Sequence, residues 1–364
     1  MQSRPKGIMK KKLIKIRRRK NEQPEAPSRI TAETIAEHRE QVLAGGRRFK
    51  YPIQYARHKL VINAIIVSIT AVILLVIFGW WQLYHVQSSG DFMYRVTRVL
   101  PLPVASVDGY QVRYSDYLMK YRSSIHYLSE KEQVNLKTED GQLQQDTVKH
   151  QAIRDAVADT YAAKLAGEQD IVVSESDVDT FIQSQRISPD GEVSQATYDA
   201  VVLDYYGWSP DEYRHAMKAK LLRQKVAYAI DVPARERSDK VASRITEGQA
   251  DLKALADTLN ETDQGGYIFV DAGWVPRTNQ DGGVTLAAAG LEKGNISAAI
   301  QPTTGAGYYF IRLVDTNETH VRYQYIQVPL SVFQNEIEAL FASDKVHYYI
   351  TLRELEGAPT EGDE

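Results

Sequence analysis

From Leu60 to Trp81 the chain reads LVINAIIVSITAVILLVIFGWW, without one charged residue. About 20 apolar residues rising ~1.5 Å each cross a hydrocarbon core of ~30 Å, so residues 59–84 are expected to form a membrane-spanning helix. Trp80, Trp81 and Tyr84 flank one end, where amphipathic rings favour the interface. A cleaved signal peptide and a buried core helix are the alternatives. The first needs a short n-region and an apolar stretch of ~7–15 residues; the second is seldom so uniformly apolar.

After the span the pattern becomes that of a folded protein. Residues 85–103 read as a linker closed by Pro101 and Pro103. Val104–Val107 and Tyr110–Arg113 flank Asp108-Gly109, a two-residue hairpin signal. Ser115 is the expected cap of a helix carrying Tyr117, Leu118, Tyr121 and Ile125 on one face. A polar stretch, 129–145, precedes a helix over 146–167, with Ile153, Val157, Tyr161 and Leu165 recurring every four residues. SESD at 174–177 and SPDE at 209–212 are capping-box patterns, opening helices to Ile182 and to about Ala229. Between them lie the turn 188–191 and a helix over 194–205.

Beyond 230 the character changes. A helix over 234–259 with a break at Gly248 leads into short strands at 265–275, 297–303, 307–315 and 321–329. A helix at 331–343 and the apolar segment 346–352 follow, and the acidic tail 355–364 reads as disordered. The expected fold class is α+β: one transmembrane helix, a mostly helical domain over 104–230, and a small antiparallel sheet with helices over 231–354.

Charge sets the orientation. Residues 1–59 hold 17 Lys/Arg against 5 Asp/Glu, and residues 60–364 hold 27 against 42. Basic density before the span places the N-terminal tail, 1–58, in the cytoplasm and the rest outside the cell membrane. KKKLIKIRRRK at 10–20 suits anionic lipid, at ~1 kcal/mol per basic residue near the surface, and also a ribosome or nucleic acid. A short helix is expected after Thr31, ending at Gly45-Gly46, in an otherwise loose tail. The chain has no cysteine, which excludes disulfides and thiolate chemistry. The eight histidines form no HExxH, and no phosphate-loop or triad context stands out, so no metal and no cofactor are expected.

VASVDGYQVRYSDY at 104–117 resembles the opening of the SurA-type chaperone domain, and IVVSESDVDTFI and WSPDEYRHAMKAKLLRQKV follow in that family's order. DAGWV, GLEKGNISAAIQ and GYYFIRLVD resemble the closing half of a parvulin prolyl isomerase domain. The whole is similar to the membrane-anchored foldases PpiD and PrsA, over roughly 100–330. The resemblance implies a folding factor whose partners are unfolded or secreted polypeptides. It departs from the family in the parvulin half. The usual first strand, which carries one of two paired histidines, has no counterpart after Val232, while VRYQYIQV stands at 321–328. That segment is expected to fill the central strand position, paired to 307–315, as in a permuted parvulin; a truncated second repeat is the alternative. Tyr309 and Tyr325 then replace the two histidines as candidate catalytic residues, with Trp274 and Phe310 as candidate substrate-binding residues. An isomerase must favour the twisted amide over the planar one, and LAAAGL at 286–291 offers only small residues in place of a proline pocket. Isomerase activity is therefore expected to be weak or lost. Equally, tyrosines on strands are ordinary packing residues. A non-catalytic envelope scaffold holding one fixed partner is the alternative function, and nothing indicates the oligomeric state.

Overall fold

The computed structural model describes residues 31–188, 191–263, 265–303 and 307–353, and no side chains over 45–57. The basic run 10–20, the centre of the 188–191 turn and the acidic tail lie outside the described residues. Contacts divide the chain into two compact units at Val76/Ile77.

Helix α1 (Ala32–Tyr84) starts after Thr31 as expected but does not stop at Gly45-Gly46. Each glycine costs a helix only about 1 kcal/mol, too little to end one without a capping turn. Its segment His58–Tyr84 is long and apolar enough to cross a membrane, and residues 58–78 are all exposed.

The expected linker is largely structure. It contains α2 (Asp91–Val99), which buries Met93, Tyr94 and Thr97. Next come β1 (Pro103–Val107) and β2 (Tyr110–Arg113), antiparallel around Asp108 (φ 47°) and Gly109 (φ 84°). Two consecutive positive φ values match the right-handed twist of the strands. Helix α3 (Tyr114–Glu130) has Arg113, not Ser115, at its N-cap, because the second strand runs directly into it. Helix α4 (Glu139–Glu168) begins seven residues earlier than the apolar periodicity suggested. Thr138 accepts the Gly141 N–H, and Glu139 and Asp140 favour the positive end of the helix dipole. Both capping boxes form, Ser174–Asp177 opening α5 (Glu175–Gln185) and Ser209–Glu212 opening α7 (Pro210–Ile230). Between them lie β3 (Ile187–Ser188), β4 (Gly191–Glu192) and α6 (Gln195–Tyr206).

Helices α8 (Val232–Thr246) and α9 (Leu252–Asp263) are separated at Gly248, as expected. They lead to β5 (Ile268–Pro276) and the short α10 (Val284–Ala289). Residues 297–303 form no strand; Ile296 and Ile300 make only isolated bridges to Arg312 and Tyr309. Then β6 (Gly307–Thr316) and β7 (His320–Pro329) pair as a hairpin, and β7 also pairs with β5. Segment 321–328 thus stands at the centre of the antiparallel order β5-β7-β6. Helices α8 and α9 cover one face of this sheet, α10 the other.

The end of the chain departs from the expected domain division. Helix α11 (Val332–Phe341) and β8 (Val346–Tyr348) leave the sheet lobe. Strand β8 pairs with β1, giving the order β2-β1-β8, and Phe333, Ile337, Leu340 and Ile350 join the core of α3, α4 and α7. The apolar pattern of α11 marked burial but not against which partner. The helical lobe is therefore discontinuous, and the chain passes between lobes twice.

Asp231, fully buried, stands where both passages meet. Its Oδ1 accepts the Ala234 N–H at 2.9 Å, capping α8, and its Oδ2 accepts the N–H groups of Ser331 (2.6 Å) and Val332 (3.0 Å). Removing this carboxylate leaves one buried and two part-buried donors without it. Asp231→Ala is expected to lower unfolding stability by about 3 kcal/mol, with Asp231→Asn in between because it keeps one acceptor oxygen. Urea titration of the three proteins measures the difference.

Candidate functional site

The alternation of β6 and β7 puts Tyr309, Ile311 and Leu313 on one face with Tyr325, Tyr323 and Val321. The Tyr309 and Tyr325 rings lie 5.3 Å apart, and Tyr325 is 6.2 Å from Tyr323. The structure thus brings the two candidate catalytic residues together. Burial raises both phenol pKa values, so both stay protonated at neutral pH.

The polar centre of this face is Tyr323, which sequence reasoning missed. Its hydroxyl lies 3.0 Å from Thr285 Oγ1 and 3.1 Å from Asp281 Oδ2. Asp281 also accepts the Thr285 N–H at 3.0 Å, so one carboxylate holds the start of α10 and the sheet tyrosine together. Burial, with the nearby Asp281 charge, pushes the Tyr323 pKa up to about 12. The only sequence signal was the D-x-x-x-T spacing ahead of an alanine-rich helix. Val284 and Ala288 of α10 close over the face, so the tyrosines sit beneath a lid of small side chains.

The two candidate substrate-binding residues are not part of that arrangement. Phe310, 1% exposed, points to the other face and packs with Ile326 against α8 and α9. Trp274 pairs in register with Arg322, one residue out of phase with Tyr323, and so also lies on the face opposite the tyrosines. A β-bulge between Asp271 and Gly273 sets that phase, and it is invisible to a strict two-residue alternation.

The larger concave feature lies between the lobes. A cleft of about 560 Å³ runs between α5 and α7 on one side and the loop entering α10 on the other. Phe181, Ile187, Leu221 and Leu286 supply apolar wall, and Leu286 is 73% exposed. Gln185, Gln224, Asn279, Gln280 and Gln301 are among its polar lining, with Asp177, Lys225 and Arg277 as its charged residues. Two of these carboxamides already bridge the lobes through main chain: Gln280 donates to the Ile187 carbonyl and Gln224 to the Pro302 carbonyl. Tyr228 adds a third link, donating to the Gly307 carbonyl at 2.6 Å. Gly307 is required there, because a Cβ would stand 2.4 Å from the Val328 carbonyl oxygen.

Lys225 Nζ lies 2.8 Å from Asp177 Oδ2, and Arg277, also in the lining, donates to the Asn317 carbonyl and the Thr316 hydroxyl. Apolar walls studded with carboxamides, each both donor and acceptor, can bind peptide backbone. Among the described residues no group of three His, Asp or Glu stands close enough to hold a metal.

A model of the SurA-like N-terminal domain matches residues 53–227, from the apolar part of α1 to near the end of α7. The match supports the SurA/PpiD/PrsA chaperone family for this region, and it takes in α5 and α7, one wall of the cleft. No curated protein and no solved structure matches the chain.

Lys225 and the Ser174 N–H lower the Asp177 pKa to about 2. A carboxylate depressed from the unfolded value of about 3.9 contributes stability above that pH and loses it as pH falls through about 2. Thermal melts followed by circular dichroism are expected to show stability declining between pH of about 4 and about 2, with a shallower decline in Asp177→Asn.

Proposed function

We propose that this protein is a membrane-tethered extracytoplasmic folding factor that binds unfolded or secreted polypeptides in the cleft between its lobes. The match to the SurA-like N-terminal domain carries the reading, because it joins the apolar helix to the helices lining the cleft. Segment 59–84 anchors the chain in the cell membrane. The basic tail lies on the cytoplasmic side against anionic lipid, and the lobes stand outside. The helical lobe is the chaperone domain, and the sheet lobe is a parvulin relative with its central strand permuted to 321–328.

Prolyl isomerase turnover in this protein is weak or lost. Catalysis needs an open apolar socket for the proline ring beside polar groups that stabilise the twisted amide. Tyr309 and Tyr325 have hydroxyls, yet α10 covers their face, and Trp274 and Phe310 lie on the opposite one. A scaffold with one fixed partner is the competing reading. The apolar walls and carboxamides of the cleft favour breadth over a single charged epitope.

The full chain in lipid nanodiscs is expected to suppress aggregation of several unrelated unfolding proteins and to leave a protease-coupled prolyl isomerisation assay at background. Leu286→Glu is expected to weaken client binding roughly tenfold, since burying one leucine contributes about 1.5–3 kcal/mol. Isomerisation that falls on Tyr309→Phe or Tyr325→Phe would instead make the protein an enzyme. Protection of one protein only would make it a scaffold.

A further inference from the structure

The outward face of α2 is unusual for a helix in a folded lobe. Met93, Tyr94 and Thr97 face the core, and Tyr94 donates to Glu212 at 2.5 Å while its ring lies 4.8 Å from the Arg122 guanidinium. On the opposite side, Phe92 is 72% and Val99 80% exposed, Val96 is partly exposed, and Leu100 follows at 50%. Residues 92, 96 and 99 stand one turn apart on one face, with Arg95 beside them and Arg98 at the edge. Isolated exposed apolar residues are ordinary, but a contiguous apolar stripe rimmed by cations is not.

The position of α2 in the chain says what covers this stripe. Only residues 85–90 separate it from the end of the apolar helix, and they coil back on that end. The N–H groups of His85 and Val86 donate to the Trp81 carbonyl, and that of Ser88 to the Gln82 carbonyl. Four further bonds pin the junction to the lobe: Tyr114 Oη to the Leu83 carbonyl (2.6 Å), Tyr84 Oη to that of Pro103 (2.8 Å), Gln87 Nε2 to that of Thr351 (2.7 Å) and Arg122 Nη1 to that of Ser89 (2.9 Å). Arg122 also pairs with Asp91, at the first turn of α2. The end of the helix, Trp80 and Trp81, and α2 are thus fastened to one core.

We propose that the Phe92–Val96–Val99 face of α2 lies in the headgroup–acyl boundary of the bilayer, with Arg95 toward lipid phosphates, while Arg98 pairs with Glu212 of the lobe at 3.7 Å. The chemistry is that of an interfacial helix: an apolar stripe set ~5–10 Å into the boundary, basic flanks and tryptophans at the same level. This seat rests on the reading that the apolar helix spans the membrane, and it makes α2 a second, in-plane contact.

The absence of cysteine allows single labelling sites. The full chain carrying Leu74→Cys, Phe92→Cys, Val99→Cys or Lys253→Cys is labelled with an environment-sensitive fluorophore. Each is reconstituted in phosphatidylcholine–phosphatidylglycerol vesicles with nitroxide lipids, either shallow or deep. Labels at 92 and 99 are expected to be quenched by shallow nitroxides about threefold more than one at 253, the contrast between the boundary and water. The label at 74 is expected to respond to deep ones. Quenching at 74 with 92 and 99 behaving like 253 would overturn the seat and leave the anchor standing. No quenching at 74 would overturn the anchor, and the seat with it. Because labelling at 92 could disturb α2, Arg95→Glu supplies a second arm: it is expected to reduce shallow quenching at 99 without changing the far-ultraviolet circular dichroism. Unchanged quenching in that variant would count against the contact of Arg95 with phosphate.

Discussion

One buried carboxylate organises the two folded lobes of this molecule. The chain leaves the helical lobe at the end of α7 and returns at the start of α11, and Asp231 bonds main-chain N–H groups on both passages. A lobe joined by one connection can hinge freely. One joined by two, with their backbones tied to a single side chain, has far fewer ways to move. Such a group is costly to bury unless fully satisfied, so its three donors and its place are set together. The links at Tyr228, Gln224 and Gln280 lie further along the same seam, and the cleft opens between them.

The same constraint explains the discontinuous helical lobe. Strand β1 is almost fully buried and needs partners on both edges; β2 supplies one from next door, and β8 supplies the other from some 240 residues away. Phe333 and Ile337 of α11 then fill the space beside α4, where Tyr161 donates to Glu336 at 3.1 Å. The sheet lobe is thus an insertion whose ends are fastened by the lobe that hosts it. A client in the cleft would touch both.

Much of this was legible in the sequence where the controlling interaction is local. The Asp108-Gly109 hairpin, the Ser174 and Ser209 capping boxes and the break at Gly248 each depend on a few neighbouring residues, and each formed where expected. The hairpin of β6 with β7 followed from two neighbouring runs separated by a short turn, and the central place of β7 from the resemblance to a parvulin sheet that lacks its usual strand. What escaped is non-local or out of phase. Nothing near residue 346 says that it pairs with residue 107, and the bulge at Asp271–Gly273 puts Trp274 on the face opposite Tyr323. The cleft was hidden for the same reason: its walls come from segments about 100 residues apart, and its polar residues are glutamines, which carry no motif.

The central claim is that the interlobe cleft receives unfolded polypeptide. A photoreactive benzophenone residue in place of Leu286, in the full chain in membranes, tests it most directly, with one in place of Tyr348 on the helical lobe as control. Light-dependent cross-links are expected from position 286 to several unrelated unfolded clients, lost when the clients are folded, and few from position 348. Equal labelling from both positions, or none from position 286 while aggregation is still suppressed, would contradict it.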